Sequence, residues 1–308
     1  MTNGRLDYPR RGPGLDHEWF DFRSSTDGTI QWPRGRVAVC INIPVEFFPL
    51  DSHAPPVRPA GGLDRGYPDF WSYSNRDYGL RLGIFRLMRV LQAYGVKATA
   101  QVQGNAALIY GRVIEEIQKC GWEIAAGGFD MGRPHHGLLS EEEERDLIVS
   151  TRTILSSMAA SPVHGWASPG QLESNRTLDL ICEQGFKYIF DWANDDAPYW
   201  IKTRSGPVVS LPSLVELSDR FCMVHHTHSV ASYVAQVLQA YEHLSQEATA
   251  HGSAKMLSLS VSPWVMGYPH RIKGLDEILQ HLVGSDNAWF ATAGEVAQAF
   301  AKHSPYEQ

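Results

Sequence analysis

The chain has 308 residues, 43% of them hydrophobic, which is enough for a sizeable core in one large domain or two small ones. Its net charge of −7 offers no basic surface for phosphates, so we expect no nucleic-acid partner. The sequence has neither an apolar run of about 20 residues nor a secretory signal at its start, and its four cysteines are scattered, so we expect a cytoplasmic protein with reduced thiols and no membrane partner.

The first part of the chain lacks regular periodicity. Residues 1–35 predict an N-terminal arm, and the apolar run 37–43 predicts a strand that is buried on both faces. Residues 47–75 are rich in Pro, Gly and aromatic residues and predict a long irregular insert, of the kind that covers a site or an oligomer contact.

From residue 78 onward, helix and strand patterns alternate. Apolar residues at helical spacing from Leu80 to Leu91 predict a helix that stops at Gly95. Further helices are predicted over 106–119, after a capping box of Ser140 with Glu143, from Asn175, over 230–247 and 271–283, and at the end of the chain. The predicted strands are KATAQVQ, 122–126, 163–167, 187–191, 208–211, 256–262 and 288–292.

Seven or eight strands that alternate with helices predict a parallel sheet, either closed or open. We favour an irregular α/β barrel that forms one domain over residues 36–302, followed by a tail over 303–308. In such folds the reactive groups follow the carboxyl ends of the strands. That rule selects Glu46, Asp130 to His136, Ser168 to Gln171, Asp191 to Asp196, His225 to His228 and Ser262 to Trp264.

The same stretches resemble the polysaccharide deacetylase (NodB-homology) superfamily, most closely its branch of cofactor-independent allantoinases and cyclic-imide hydrolases. The matching segments span roughly residues 36–300 and include RVAVCINIPVE, GWEIAAGGFDMGRP, HGWASPG, GFKYIFDWANDDAPYW and MLSLSVSPWVMGYPHR. The resemblance implies an irregular (β/α)7-type barrel, a hydrolase of carbon–nitrogen bonds other than peptide bonds, and a homo-oligomer with the 47–75 insert at subunit contacts.

Metal-dependent members of this superfamily hold one divalent cation through an aspartate of a D-x-D-x-E motif and two histidines of an H-G-x-x-x-H motif. The matching positions in this sequence are Pro44, Gly127 and Met131, which supply no good ligand for a hard cation. The allantoinase branch usually keeps a further histidine where this chain has Ser262, and family members place an arginine where it has Ala167. The resemblance therefore implies no metal and no cofactor.

Glu46 is the surviving member of the acidic motif. Partial desolvation at the strand end would suit its carboxylate to general-base catalysis, although an ion-paired or solvated glutamate is the alternative. Asp130, His135 and His136 lie beside the lost histidines, where an imidazole could carry protons; surface histidines are the alternative.

The densest histidine cluster is Val224-His225-His226-Thr227-His228. In an extended segment His226 and His228 would share one face, where His226 could act in catalysis, the pair could hold a metal, or both could be structural.

The backbone amides of Gly127 and Gly128 could bind an oxyanion. The candidate substrate-binding residues are Gly127, Gly128, Arg133, Trp166, Ser168, Asp191, His228 and Trp264.

The preferred function is that of a metal-independent hydrolase that opens a small cyclic amide, imide or ureide. Glu46 would activate water, and a histidine from 135–136 or 226–228 would protonate the leaving nitrogen. A binding protein that has lost catalysis is the first alternative. A deacetylase with its metal relocated to His226 and His228 is the second.

Overall fold

A computed structural model of the chain describes residues 19, 30–51 and 66–306. The predicted arm therefore lies outside the described residues except for Trp19 and residues 30–35, and so does the insert from 52 to 65. Trp19 packs edge-to-face on Trp192 with ring centroids 5.5 Å apart. The indole nitrogen of Trp32 donates to the backbone oxygen of Lys255 at 2.8 Å. These described pieces of the arm thus lie against the rest of the fold.

One sheet contains nine strands within the described residues. They are β1 (Val37–Val45), β2 (Thr99–Val102), β3 (Glu123–Ala126), β4 (Gly165–Trp166), β5 (Tyr188–Ile189), β6 (Tyr199–Thr203), β7 (Gly206–Ser210), β8 (Lys255–Ser260) and β9 (Ala288–Phe290). The strand order is β6-β7-β5-β4-β3-β2-β1-β8, and β9 pairs with the start of β1. Every pairing is parallel except that of β6 with β7. The predicted α/β fold with an irregular, mostly parallel barrel is confirmed.

Helices connect the strands and cover the sheet. They are α1 (Phe70–Tyr78), α2 (Ile84–Ala93), α3 (Gly104–Ile109), α4 (Gly111–Lys119), α5 (Glu141–Met158), α6 (Thr177–Glu183), α7 (Val230–His251), α8 (Ile272–Val283) and α9 (Ala293–His303). A π-helical turn over Gly79–Gly83 joins α1 to α2. In the part of the chain that the structure describes, no helix has both the length and the apolar composition that crossing a bilayer requires.

The sequence of β1 explains its central place in the sheet. Val37, Val39 and Ile41 project to one face and pack with the helices, whereas Ala38 and Cys40 project to the other face and pack with residues of α9. Because both faces are buried, the strand reads as a nearly continuous apolar run. The same alternation directs the side chains at positions 42, 44 and 46 toward the interior of the barrel.

The predicted start of α5 is also confirmed. The backbone N–H of Glu143 donates to the Ser140 hydroxyl at 3.2 Å, and the Glu143 carboxylate accepts from the Ser140 N–H at 2.8 Å. This reciprocal pair satisfies two donors that the first turn of a helix would otherwise leave open.

Three predictions of secondary structure were wrong. The helix predicted over 106–119 is two helices that meet at Tyr110. The stretch 47–75 contains the start of α1, which Asp69 caps by accepting from the Ser72 N–H at 3.0 Å. The predictions also omitted β6, which forms an antiparallel hairpin with β7 through a turn at Gly206. Local apolar periodicity is weak in α1 and β6, so tertiary contacts decide both elements.

The histidine cluster is not extended. Residues Phe221–His225 form a π-helical turn, and Thr227 has a left-handed backbone with φ of 55°. His226 and His228 nevertheless stack, with ring centroids 5.6 Å apart, and both are exposed. The period-two argument therefore had the wrong backbone, although the two rings do lie on the same side.

Candidate functional site

A small cavity opens at the carboxyl ends of the barrel strands. Its volume is about 130 Å³. The lining comes from the ends of β1, β2 and β8, from the segments after β4 and β5, and from residues 213–225. The lining residues are Asn42, Pro44, Glu46, Gln101, Ala167, Ser168, Gly170, Gln171, Phe190, Ser213, Leu214, Val215, Ser218, Arg220, Phe221, His225, Ser258, Ser260 and Ser262.

Glu46 lies in this cavity directly after β1. Its side chain is 13% exposed, and its Oε1 lies 3.5 Å from Nη1 of Arg220. Its Oε2 is buried and accepts no hydrogen bond from the described residues. One carboxylate oxygen thus lies beside a guanidinium, while the other has no donor in the part of the chain that the structure describes.

The cavity wall near Glu46 is polar but mostly uncharged. Asn42 donates from Nδ2 to the Ser258 hydroxyl at 2.9 Å. Gln171 donates to the Ser213 hydroxyl at 2.5 Å, which joins the loop after β4 to the segment after β7. Hydroxyl and amide groups of this kind suit a small ligand that is rich in hydrogen-bonding groups.

Arg220 reaches the cavity from a segment that a buried carboxylate fixes in place. Both oxygens of Asp219 accept from the Ser262 N–H at 2.9 Å, and Oδ2 also accepts from the Met266 N–H at 3.2 Å. Burial raises the pKa of Asp219 to about 7, against the lowering effect of these hydrogen bonds. Asp219 therefore ties the segment that carries Arg220 to the loop after β8.

Asp191 and Glu173 form a pair of buried carboxyl groups beside the loop after β4. Asp191 accepts from the Ser168 N–H at 2.8 Å, and Glu173 accepts from the Trp192 indole at 3.1 Å. The two carboxyl groups contact each other; burial and the neighbouring Asp191 raise the pKa of Glu173 well above its usual range, and burial raises the pKa of Asp191. Two carboxyl groups in such contact share a proton. Asp191 thus positions the Ser168 loop and is not itself in the cavity wall.

The loop after β3 places its polar residues outside the cavity wall. Asp130 is buried and accepts from the Asn105 amide at 2.9 Å and the Gly132 N–H at 3.0 Å. His136 is exposed. Arg133 is also exposed, with its guanidinium 4.4 Å from the centroid of the Phe129 ring. Asp130 therefore organises its own loop, and His136 and Arg133 lie at the surface.

His135 is fully buried, contrary to a role as a proton carrier in the cavity. Its Nδ1 lies 3.2 Å from Oε1 of Glu144, and its ring packs edge-to-face on Trp166 at 5.6 Å. The Glu144 carboxylate also accepts from Ser174 at 2.6 Å and Thr177 at 2.5 Å. His135 therefore belongs to a polar network that joins α5 to α6.

The two tryptophans among the candidate substrate-binding residues, Trp166 and Trp264, do not line the cavity. Trp166 is buried and donates from its indole to the Ser168 hydroxyl at 2.9 Å. Trp264 is buried and packs on Phe48 with centroids 6.4 Å apart. The cavity wall instead contains the aromatic rings of Phe190 and Phe221.

The structure separates the histidines of the 225–228 cluster. His225 lines the cavity, whereas His226 and His228 line an open groove against α7. In that groove His228 Nδ1 lies 3.0 Å from the Gln236 amide. Sequence reasoning selected His226 and His228, but His225 is the histidine of the cluster that shares the cavity with Glu46.

The backbone positions of Gly127 and Gly128, directly after β3, leave no room for a side chain. Gly127 donates its N–H to the Val102 oxygen at 2.7 Å, so this amide is unavailable to an oxyanion. A Cβ at Gly127 would lie 3.0 Å from the Gln101 oxygen. Gly128 has φ of +74°, and a Cβ there would lie 2.4 Å from the Pro169 ring. Close backbone approach accounts for both residues.

Replacement of Gly128 by Ala should lower the free energy of unfolding by about 2–4 kcal/mol, since it adds both a left-handed backbone strain and a steric clash. Urea unfolding followed by tryptophan fluorescence measures the change. Gly95→Ala is the matched control, because Gly95 has φ of +65° but open space around its Cβ. Equal effects of the two substitutions would contradict the role given to Pro169.

The residues present do not fit the metal that this fold holds in deacetylases. Pro44 lines the cavity without a ligand atom in its side chain, and Gly127 and Met131 offer neither an imidazole nor a carboxylate. The described residues contain no cluster of three or more His, Cys, Asp or Glu side chains that could hold a metal ion.

The fold and the cavity define an α/β-barrel protein whose site lies at the carboxyl ends of the strands. Residues 73–189 match the family model for polysaccharide deacetylases. The predicted resemblance to the polysaccharide deacetylase (NodB-homology) superfamily is confirmed by this match. The predicted enzyme class, a hydrolase of carbon–nitrogen bonds other than peptide bonds, is confirmed at the level of this superfamily.

Individual relatives are distant. A Schizosaccharomyces pombe protein assigned to the polysaccharide deacetylases is 24% identical over 251 residues, which covers 75% of this chain and 76% of that protein. A peptidoglycan deacetylase of Helicobacter pylori is 20% identical over 256 residues, covering 73% of this chain and 85% of the relative. The crystal structure of the allantoinase Puue superposes with a TM-score of 0.81 at 22% identity, covering 98% of this chain and all of the other, and it shows the shared fold alone.

Proposed function

We propose that this protein is a metal-independent hydrolase that opens the ring of a small cyclic amide, imide or ureide. The observation that carries the proposal is the Glu46 carboxylate, which lines the cavity with one oxygen that accepts no hydrogen bond from the described residues. A carboxylate in that state can accept a proton from a water molecule beside it. The positions that bind the deacetylase metal meanwhile carry Pro44, Gly127 and Met131.

The proposed chemistry uses Glu46 and His225, which both line the cavity. Glu46 accepts a proton from water as the water oxygen bonds to the ring carbonyl carbon. The carbon–nitrogen bond then breaks, and the nitrogen takes a proton from the imidazolium of His225, which lines the same cavity. His225 is exposed and regains its proton from solvent, and Glu46 releases the proton that it accepted to solvent before the next turnover.

The size of the cavity favours a small ring over a polymer. At about 130 Å³ it lies below the roughly 300–1,000 Å³ of sites that enclose drug-sized ligands. Without a cation to polarise the carbonyl, the substrate should also carry an activated bond. A nitrogen acylated on both sides meets this demand better than the acetamido group of a sugar, because it is the better leaving group.

One observation favours a binding protein as the second candidate. All three metal positions have changed, and a site that has lost its cation has lost the electrophile of the deacetylase reaction. Such a protein would bind the same small cyclic compounds in the cavity without converting them.

Incubation with a panel of hydantoins, cyclic imides and ureides should show ring opening of at least one compound, at a rate unchanged by EDTA or phenanthroline. The products are measured by chromatography, and an N-acetylated chitooligosaccharide serves as the deacetylase substrate. Loss of activity on chelation with recovery on adding Zn²⁺, or release of acetate from the oligosaccharide, would contradict metal independence. Saturable binding of a ring that never opens would establish the binding protein instead.

A further inference from the structure

Among the described residues that line the cavity, Arg220 is the one with a permanent positive charge. Its guanidinium faces Glu46 at 3.5 Å, which is long for an ion pair and leaves most of its five N–H donors available to a ligand. The side chain is 35% exposed. A second guanidinium, that of Arg76, also interacts electrostatically with Glu46. Arg76 lines a second small cavity, which Glu46 borders as well, and it is not in the wall of the cavity that Arg220 lines.

The backbone that carries Arg220 is fixed. Asp219 accepts hydrogen bonds from the amides of Ser262 and Met266, and the Phe221 N–H donates to the Ser218 hydroxyl at 3.2 Å. These contacts tie residues 218–221 to the loop after β8. A cation held in this way is oriented before any substrate arrives.

We propose that Arg220 is the electrophile of the ring-opening reaction and stands in for the cation that the fold has lost. The inference rests on the proposed function. In the reaction, the ring carbonyl oxygen becomes an oxyanion when the water oxygen bonds to its carbon and the water proton moves to Glu46. Arg220 forms and breaks no covalent bond; its N–H groups donate hydrogen bonds to that oxygen.

The movement of charge explains why Arg220 favours the transition state. In the resting protein, the guanidinium faces the negative charge of Glu46. When Glu46 accepts the proton it becomes neutral, and one negative charge appears on the carbonyl oxygen. Arg220 then loses its first partner at the moment the second one forms. Its interaction with the substrate is therefore stronger in the transition state than in the ground state, which is the condition for accelerating the chemical step.

The same geometry predicts an anion site whose affinity Glu46 controls. Acetate is the probe, because its carboxylate resembles both the oxyanion and the product. Saturation-transfer NMR should show that Glu46→Gln binds acetate at least about fivefold more tightly than the wild type, since Arg220 loses its internal counter-ion. The double variant Glu46→Gln, Arg220→Gln should lose that gain. Equal acetate affinity of the single and double variants would overturn the assignment of Arg220.

Steady-state kinetics with a compound of the panel that the wild type opens test the same role. Arg220→Gln should lower kcat about 10²- to 10³-fold with a smaller change in KM, the size expected for loss of an oxyanion donor. Guanidinium ion should restore activity to Arg220→Ala in a saturable manner, which a purely structural role would not produce. Arg204→Gln, an exposed control that pairs with Asp179, should leave kcat unchanged. A wild-type level of kcat in Arg220→Gln would refute the proposal.

Acetate binding and the kinetics of the Arg220 variants together distinguish failure of the proposed hydrolase function from failure of the role of Arg220. If the wild type opens no ring and the acetate pattern still appears, the proposed function fails and the anion site at Arg220 remains. If rings open and neither acetate binding nor kcat depends on Arg220, the hydrolase remains and the electrophile must be another group.

Discussion

Replacement of Glu46 by Gln should lower kcat for ring opening about 10²- to 10⁴-fold, the range expected for loss of a general base. The amide has nearly the same shape as the carboxyl group but cannot accept the proton of water. KM should change less than kcat, because the substituted group acts on the water rather than on the bound ring. The effect is measured by steady-state kinetics on the best substrate of the panel.

Glu216→Gln is the matched control for this substitution. Glu216 is exposed, lies four residues before Arg220, and faces the open groove rather than the cavity. It makes the same change in net charge close to the site, so an equal loss of activity in both variants would point to electrostatics at long range. An active Glu46→Gln enzyme would remove Glu46 from the role of base. Circular dichroism checks that both variants are folded.

The strand-end rule located the cavity from the sequence. Glu46, Ser168 and Ser262 follow β1, β4 and β8, and all three line it. The rule works because parallel strands that start at one end of a barrel must finish together at the other. It requires only the positions of buried apolar runs, which β1 and β8 display clearly.

The rule selected His225 to His228 between β7 and α7, but it did not select Arg220 and could not tell which of the histidines lines the cavity. Arg220 and His225 belong to a segment without a strand, and its path depends on the contacts of Asp219 with the loop after β8. Those contacts join residues 43 and 47 positions apart, so no local sequence pattern predicts them. The extended backbone assumed for the histidine cluster therefore selected His226 and His228 for a site in which His225 is the lining residue.

Burial was the other property that the sequence did not disclose. His135 sits in a polar loop and resembles a surface or catalytic histidine, yet it packs on Trp166 and Glu144 with no exposed area. Glu144 is in the acidic first turn of α5, where a solvated side chain is the normal expectation. His135 and Glu144 are nevertheless buried because the first turn of α5 packs against the start of α6. This burial depends on tertiary packing rather than on the local sequence.

The stability of the protein should fall as the pH rises from about 4 to about 7, with Asp219 as a principal cause. The pKa of Asp219 is raised to about 7 because its carboxyl group is buried, whereas its ordinary value is 3.8. Between these values the unfolded chain releases the proton and the folded chain keeps it, so the stability is greatest below the lower pKa and is lost as pH rises through the upper one. The raised pKa corresponds to roughly 4 kcal/mol at most.

Asp219→Asn should remove most of that pH dependence because an amide does not titrate in this range. At pH 4.5 the free energy of unfolding of the variant should be about 1–3 kcal/mol lower than that of the wild type. The reason is that its NH₂ group replaces an oxygen that accepts hydrogen bonds from the backbone N–H groups of Ser262 and Met266. The difference should shrink toward pH 8, where the wild type must hold a buried charge. Urea unfolding across this range measures both curves, and the exposed Asp146→Asn serves as the control. The Glu173 and Asp191 pair acts in the same direction in both proteins, so it cancels from the comparison, and two parallel curves would show that Asp219 is not the group that titrates.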